Sequence, residues 1–229
     1  MLRNEKYKGY SIYFYDEKYE KIARNIIDKK YKVLEKYKDD KRSYVVKIEV
    51  DNYVYILKRA LNETNRFRKK IRTLLKKSEA LTTLININNL RRNGLKELYI
   101  PYLVVERKEK GFIKESFLLT EFIEGRVIKN YKEFTLEEKK IIVNILEEIH
   151  KKNVYHGDAN HGNFIFTNNG IRVIDTVGKK EKLLNYKRNY DFITLDDCIQ
   201  DIEKIHVYKK YQLSYWIASF IKKLKKRFC

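Results

Sequence analysis

Asp158, Asn163 and Asp175 are the residues of this chain whose types and order best suit chemistry. They stand in the stretch Tyr155-His156-Gly157-Asp158-Ala159-Asn160-His161-Gly162-Asn163 and, after two short apolar runs, in Ile174-Asp175-Thr176. Transfer of a phosphoryl group from a nucleotide needs a carboxylate to orient the attacking hydroxyl, and oxygen ligands to hold magnesium on the phosphates. Asp158 has the type for the first task, Asn163 and Asp175 for the second. A zinc centre made from His156, His161 and Asp158 fits less well, because no Cys or His cluster with ligand spacing accompanies them.

Such residues act only if the chain converges them. Phe164 to Thr167 and Ile171 to Ile174 are β-prone apolar runs around Asn168-Asn169-Gly170, whose residues tolerate positive φ, so a tight hairpin is expected. A hairpin returns its ends to one place, which would make neighbours of Asn163 and Asp175 although twelve positions separate them. Upstream, Thr135-Leu136-Glu137-Glu138 reads as a capping box opening an amphipathic helix with Ile141, Ile142, Ile145, Leu146 and Ile149 on one face. That helix should be buried against the Asp158 loop. His156, a loop histidine just before the carboxylate, is expected to fix backbone rather than to exchange protons.

With 229 residues, 43% of them hydrophobic and 14% aromatic, the chain has ample material for a core,. Its single Pro and eight Gly leave no obvious linker. Two cysteines are too few for a disulfide framework,. The N-terminus lacks the apolar stretch of a signal peptide and no uncharged apolar run is long enough to span a bilayer, so a cytoplasmic protein is expected. The excess of 51 Lys and Arg over 31 Asp and Glu, a formal charge of +20, implies an anionic partner or surface,. Nucleic acid and anionic lipid both qualify.

The remaining segments read as follows. Tyr31 to Tyr37, Tyr44 to Val50 and Tyr53 to Lys58 are β-branched and aromatic runs that form a three-stranded meander, turning at Asp51-Asn52. Phe67, Ile71, Leu74, Leu75 and Leu81 mark an amphipathic helix with a basic opposite face, and at about 100° per residue Glu79 falls beside Leu75 on the shoulder of its apolar stripe. Tyr99 to Glu106 and Ser116 to Phe122 are strand-like and flank Lys108-Glu109-Lys110-Gly111. The second runs into Glu121-Phe122-Ile123-Glu124-Gly125, an acidic turn ending in glycine.

These motifs resemble the bacterial lipopolysaccharide core heptose kinases, small enzymes of protein-kinase-like fold related to aminoglycoside phosphotransferases and Kdo kinases. The likeness runs from the Lys58 strand through Lys-Lys-Ser-Glu-Ala at 76–80, Glu-Phe-Ile-Glu-Gly at 121–125 and the His-Gly-Asp loop to Ile-Asp-Thr. It implies an α+β, bilobal fold: residues 1–122 as a small antiparallel-sheet lobe and 123–229 as a mostly helical lobe. It implies ATP and Mg2+ as cofactors and a heptose hydroxyl of the lipopolysaccharide inner core as acceptor, with Asp158 accepting the hydroxyl proton and Asn163 and Asp175 binding the metal. Lys58, held by Glu79 or, as a less favoured substitute, Glu63, would grip the phosphates. The Glu121–Ile123 segment would meet the adenine. One feature departs from the kinase pattern: the loop at Lys38–Ser43 has no glycine, and Lys41 and Arg42 are expected to replace an amide cradle with side-chain charge.

From Tyr208 to Cys229 there are seven Lys or Arg and no acidic residue, while Leu213, Trp216, Ile217, Phe220, Ile221 and Leu224 recur at helical spacing. Packing of that apolar stripe onto the helical lobe is the favoured expectation, with the Lys222–Arg227 cluster meeting an anionic membrane or the phosphorylated glycolipid. The protein is thus read as a cytoplasmic kinase, peripheral at the inner face of the membrane. A kinase of another sugar, small-molecule or protein hydroxyl is the nearest alternative. A basic nucleic-acid-binding module is the alternative from another class, disfavoured because the tyrosines are spread along the whole chain and form no stacking platform.

Overall fold

The computed structural model describes residues 1–61, 77–128, 133–181 and 186–227. The chain forms an α+β fold of two compact units, Met1–Asn89 with Tyr99–Phe122 and Leu90–Leu98 with Ile123–Cys229.

The first unit is built on an antiparallel sheet. Its strands are β1 (Arg3–Tyr7), β2 (Tyr10–Phe14), β3 (Lys32–Asp39), β4 (Tyr44–Val50), β5 (Tyr53–Arg59), β6 (Pro101–Glu109) and β7 (Phe112–Glu121), in the order β1-β2-β6-β7-β5-β4-β3. Three of its hairpins turn on two residues, Lys8-Gly9, Asp51-Asn52 and Lys110-Gly111, all six with positive φ. That geometry matches the right-handed twist of the flanking strands. The meander β3-β4-β5 stands where its β-branched runs predict it. The strands β1 and β2 and the helix α1 (Lys18–Ile27) were not anticipated.

Side-chain alternation divides the sheet into two faces. On one, Val46, Ile48, Tyr55, Leu57, Leu103 and Leu119 are buried beneath Ile22, Ala23 and Ile26 of α1. On the other, Val104 and Leu118 pack against Ala80, Leu81 and Leu84 of α2 (Glu79–Arg92). Directly paired residues of an antiparallel sheet point to the same side. Lys58 pairs with Leu118, Leu118 with Val104 and Val104 with Tyr13, so Lys58 projects on the face that α2 covers.

A buried polar link seats α2. Ser78 is its N-cap: the hydroxyl accepts the Leu81 N–H at 2.9 Å and donates to the carboxylate of Glu106 on β6,. The helix therefore opens at Glu79. The expected stripe at Phe67, Ile71, Leu74 and Leu75, and Glu63, lie outside the described residues. Glu106 is 2% exposed, and burial pushes its carboxyl above the usual range, against the lowering effect of the Ser78 hydrogen bond.

The second unit is mostly helical: α3 (Leu136–Lys151), α4 (Tyr186–Ile199) and α5 (Leu213–Arg227), with the short strands β8 (Arg126–Val127), β9 (Val154–Tyr155), β10 (Phe164–Thr167), β11 (Gly170–Val173) and β12 (Lys179–Lys180). The capping box at α3 is present, with Thr135 and Glu138 satisfying one another's amides. Its buried face is Ile142, Val143, Leu146, Ile149 and His150. The expected stripe was rotated: Ile141 is 43% exposed, and Val143 and His150 point inward, because a buried carboxylate draws the His150 ring. Segment 95–98 belongs to this unit through β11, since the Glu97 carbonyl accepts the Val173 N–H at 2.8 Å and Leu98 bridges to Val173.

Gly125 is required by close approach. A Cβ there would lie 2.5 Å from the Phe166 carbonyl oxygen and 2.7 Å from Ile165 Cγ2, where β8 meets β10. Gly125→Ala should lower stability by about 1–3 kcal/mol, seen as an earlier urea midpoint. For Glu106, a raised folded pKa means that its stabilising contribution is complete below the unfolded value and is lost as pH rises through the folded one. Glu106→Gln, which keeps an acceptor for Ser78, should therefore gain melting temperature over the parent as pH is raised from about 4 to 8, by a difference of about 1–2 kcal/mol. A pH-independent difference would contradict this.

Candidate active site

The loop carrying Asp158 is held by a carboxylate on α4. Asp191 on α4 is completely buried, and its two oxygens accept the backbone N–H of His156 at 2.7 Å, that of Gly157 at 2.8 Å and the Nε2–H of His150 at 3.0 Å. A buried charge is tolerated only when donors replace the water it has lost, and here three protein donors do so. The consequence is positional: α3, the loop and α4 are tied at one point.

His156 completes the brace. Its ring is buried and burial holds the imidazole below its ordinary pKa, so it is neutral at neutral pH. Its Nδ1 accepts the Asp158 N–H at 3.3 Å and its carbonyl accepts the Thr176 hydroxyl at 3.2 Å. This is the structural role expected of it. Asp158 itself is exposed, so its carboxylate is presented by a backbone that is fixed on both sides.

The hairpin forms as β10 and β11, paired from Phe164–Val173 to Thr167–Gly170. Of Asn168, Asn169 and Gly170, only Gly170 has positive φ, at 109°, so the asparagines turn the chain without leaving the ordinary region. Asn163 enters the hairpin through a turn of 3₁₀ helix, His161–Asn163, capped by the Asn160 side chain on the Gly162 N–H. Its amide nitrogen donates to the Asp158 carbonyl at 2.7 Å. That bond settles the amide orientation and leaves Oδ1 as the acceptor end of the amide.

Asp175 leaves the hairpin beside it. The Asn163 carbonyl accepts the Ile174 N–H at 2.9 Å, the residue before Asp175. Asp175 has φ of 59°, an uncommon conformation for a residue with a Cβ, and its side is exposed,. Such a conformation persists when the surroundings over-determine it. Here the Ile174 amide on one side and the buried Thr176 hydroxyl on the other do so. An amide oxygen and a carboxylate are hard ligands, and this pair suits Mg2+ rather than a soft metal.

The other predicted residues belong to the first unit. Lys58 is half-buried, with its ammonium 5.4 Å from the centre of the Tyr99 ring. Glu79 is exposed in the first turn of α2, on the side of the sheet to which Lys58 projects. Glu121 ends β7, where its carboxylate accepts the Ile100 N–H at 2.7 Å and its own N–H donates to the Ile100 carbonyl at 3.0 Å. Ile123, half-buried and outside any strand, begins the second unit. In the glycine-free loop, Asp40 takes the N–H groups of Arg42 at 2.7 Å and Ser43 at 2.8 Å, and these bonds hold its carboxyl below the usual range.

Sequence reasoning missed Asp191, His150 and Thr176. One local signal existed for the first: Asp191 stands between Tyr190 and Phe192 in a helix whose neighbours Thr194, Leu195 and Ile199 are buried, an inward position for a charge. Asp191→Ala should cost about 3 kcal/mol or more, because three donors lose their acceptor. The loss should appear both in the urea midpoint and as faster amide exchange at His156 and Gly157.

The sequence has relatives of known name. Over 229 residues, 98% of this chain and 99% of the other, it is 25% identical to the lipopolysaccharide core heptose(II) kinase WaaY of Escherichia coli. Over 183 residues it is 25% identical to the protein of the same name from Escherichia coli strain K12, covering 79% of this chain and 78% of that one. The family model described as lipopolysaccharide core biosynthesis protein (WaaY) matches residues 1–227. With its whole described length matched, this chain belongs to the WaaY family of lipopolysaccharide core biosynthesis proteins.

Proposed function

We propose that this protein is an ATP- and Mg2+-dependent kinase that phosphorylates a hydroxyl of the second heptose of the lipopolysaccharide inner core. The acceptor is taken from the names of its relatives. The observation that supports the chemistry is the hydrogen-bonded chain Asp158–Asn163–Ile174, a continuous framework on which Asp158 would serve as proton acceptor and Asn163 and Asp175 as oxygen ligands.

In the proposed reaction the Asp158 carboxylate orients the heptose hydroxyl and accepts its proton as the oxygen attacks the γ-phosphorus. The bond from that phosphorus to the β–γ bridging oxygen breaks and ADP departs with the electron pair. Asn163 Oδ1 and the Asp175 carboxylate would hold magnesium, which supplies neutralisation of the charge on the phosphates. In the first unit, Lys58 would carry positive charge for the nucleotide phosphates, oriented by Glu79. The backbones of Glu121 and Ile123 would meet the adenine. Positioning and charge neutralisation are the levers of phosphoryl transfer, and no covalent enzyme intermediate is required.

The acceptor is a membrane glycolipid, and among the described residues no helix is long and apolar enough to cross a membrane. We place the protein at the cytoplasmic face of the inner membrane, attached peripherally.

Asp158→Asn should lower kcat by about 10²–10⁴ with little change in KM for ATP, since the exposed side chain leaves the fold intact. Mass spectrometry of core oligosaccharide from cells carrying this variant should show one phosphate missing from the second heptose. Full phosphorylation in those cells, with no other heptose kinase present, would exclude the proposed role of Asp158, and an unchanged second heptose in cells lacking the protein would exclude the proposed acceptor.

A further inference from the structure

We infer that α5 is an interfacial helix that lies in the plane of an anionic lipid bilayer, with Leu213, Trp216, Phe220 and Leu224 inserted among the headgroups. This deepens the functional reading above, on which it rests for the membrane-borne acceptor; the lipid contact itself is read from the helix.

One side of α5 is secured to α4. Ala218 is fully buried, Ile217 and Ile221 are half-buried, and Ser214 accepts the Asn189 amide at 3.0 Å. Lys222 is held at 3.1 Å from the Thr194 hydroxyl and 3.2 Å from Asp197, and Lys225 donates to the Tyr190 hydroxyl at 3.0 Å. The orientation of the helix is thereby set. On the opposite side Leu213, Trp216 and Phe220 are 63%, 65% and 63% exposed, and Leu224 is 36% exposed. At about 100° per residue these four fall within an arc of about 80°. The apolar stripe thus splits: packing on the helical unit, the expectation for all of it, holds for Ile217 and Ile221 only.

A row of large apolar side chains in water marks a surface that meets something. The charge says what. The sequence of α5 has five basic residues and no acidic one, in a chain of net charge +20; Lys222 and Lys225 are engaged with α4, while Lys223 is exposed at about 60° from the centre of the apolar row,. Protein interfaces are depleted of lysine around their apolar centre. Helices that rest on anionic lipid show the pattern found here, with a tryptophan at headgroup level and lysines beside it. At 15 residues α5 is too short to span a bilayer, so the contact is lateral,.

Trp216 is the sole tryptophan of the sequence and serves as its own probe. Vesicles of phosphatidylethanolamine with phosphatidylglycerol should blue-shift its emission, and the protein should co-sediment with them at least tenfold more than with phosphatidylcholine vesicles. Phe220→Ser with Leu224→Ser should remove the shift, and Trp216→Ser with Phe220→Ser should reduce co-sedimentation at least tenfold, with an unchanged far-ultraviolet circular dichroism spectrum. Equal binding to both vesicle types, or binding that the variants leave intact, would overturn the inference. So would a shift that arises without vesicles as the mass doubles, since a second copy would then cover the face. Kinase activity on deacylated, water-soluble core oligosaccharide should be the same in parent and variants. Its absence from all of them would sink the kinase reading, while the vesicle measurements would still decide this one.

Discussion

The carboxylate of Asp191 is the point on which the second unit turns. It is fully buried, and an ion in that condition must be surrounded by donors or give up its charge,. The donors come from the end of α3 and from the loop that follows, 35 and 41 residues away in sequence for His156 and His150. Satisfying one charge therefore fixes the relation of two helices and the path of a loop. Asp158 inherits its place from that arrangement, being the next residue after the two amides that Asp191 holds.

The hairpin extends the same logic to Asn163 and Asp175. Asn163 is bound to the Asp158 carbonyl through its side chain and to Ile174 through its backbone, so the loop and both strands move together or not at all. Asp175 adopts a left-handed backbone that it would not choose alone, and its neighbours on either side hold it there. Chemistry that works by alignment needs this kind of support, because its advantage disappears once the groups wander.

In the first unit the equivalent device is the buried pair of Ser78 and Glu106, which anchors the start of α2 to β6 and so determines which residue opens that helix. The sheet beneath it places Lys58 by register alone. The exposed edge strand β3 is broken by two irregularities and carries Lys32, Lys36 and Lys38, which discourages pairing with another chain,. Much of the positive charge thus has local uses, while the concentration of it at α5 beside outward apolar side chains has a different meaning.

What the sequence determined alone was local. The strands 44–50 and 53–59 and the Asp51-Asn52 turn between them follow from β-branched runs and residues that accept positive φ; the Thr135–Glu138 box announces α3; and the apolar runs around Asn168-Asn169-Gly170 announce the hairpin between Asn163 and Asp175. All of these depend on interactions across a few positions. β1, β2 and α1 escaped notice although α1 sets Ile22, Ala23 and Ile26 on one face, because the strands that bury these segments lie far along the chain. Tertiary structure alone decided that Val143 and His150 rather than Ile141 face inward, that Glu79 begins a helix instead of riding on one, and that Trp216 and Phe220 face outward. Each follows from a partner such as Asp191, Glu106 or Asp197 whose distance in sequence leaves no periodic trace, and only folding tells a chain which of its apolar faces will be covered.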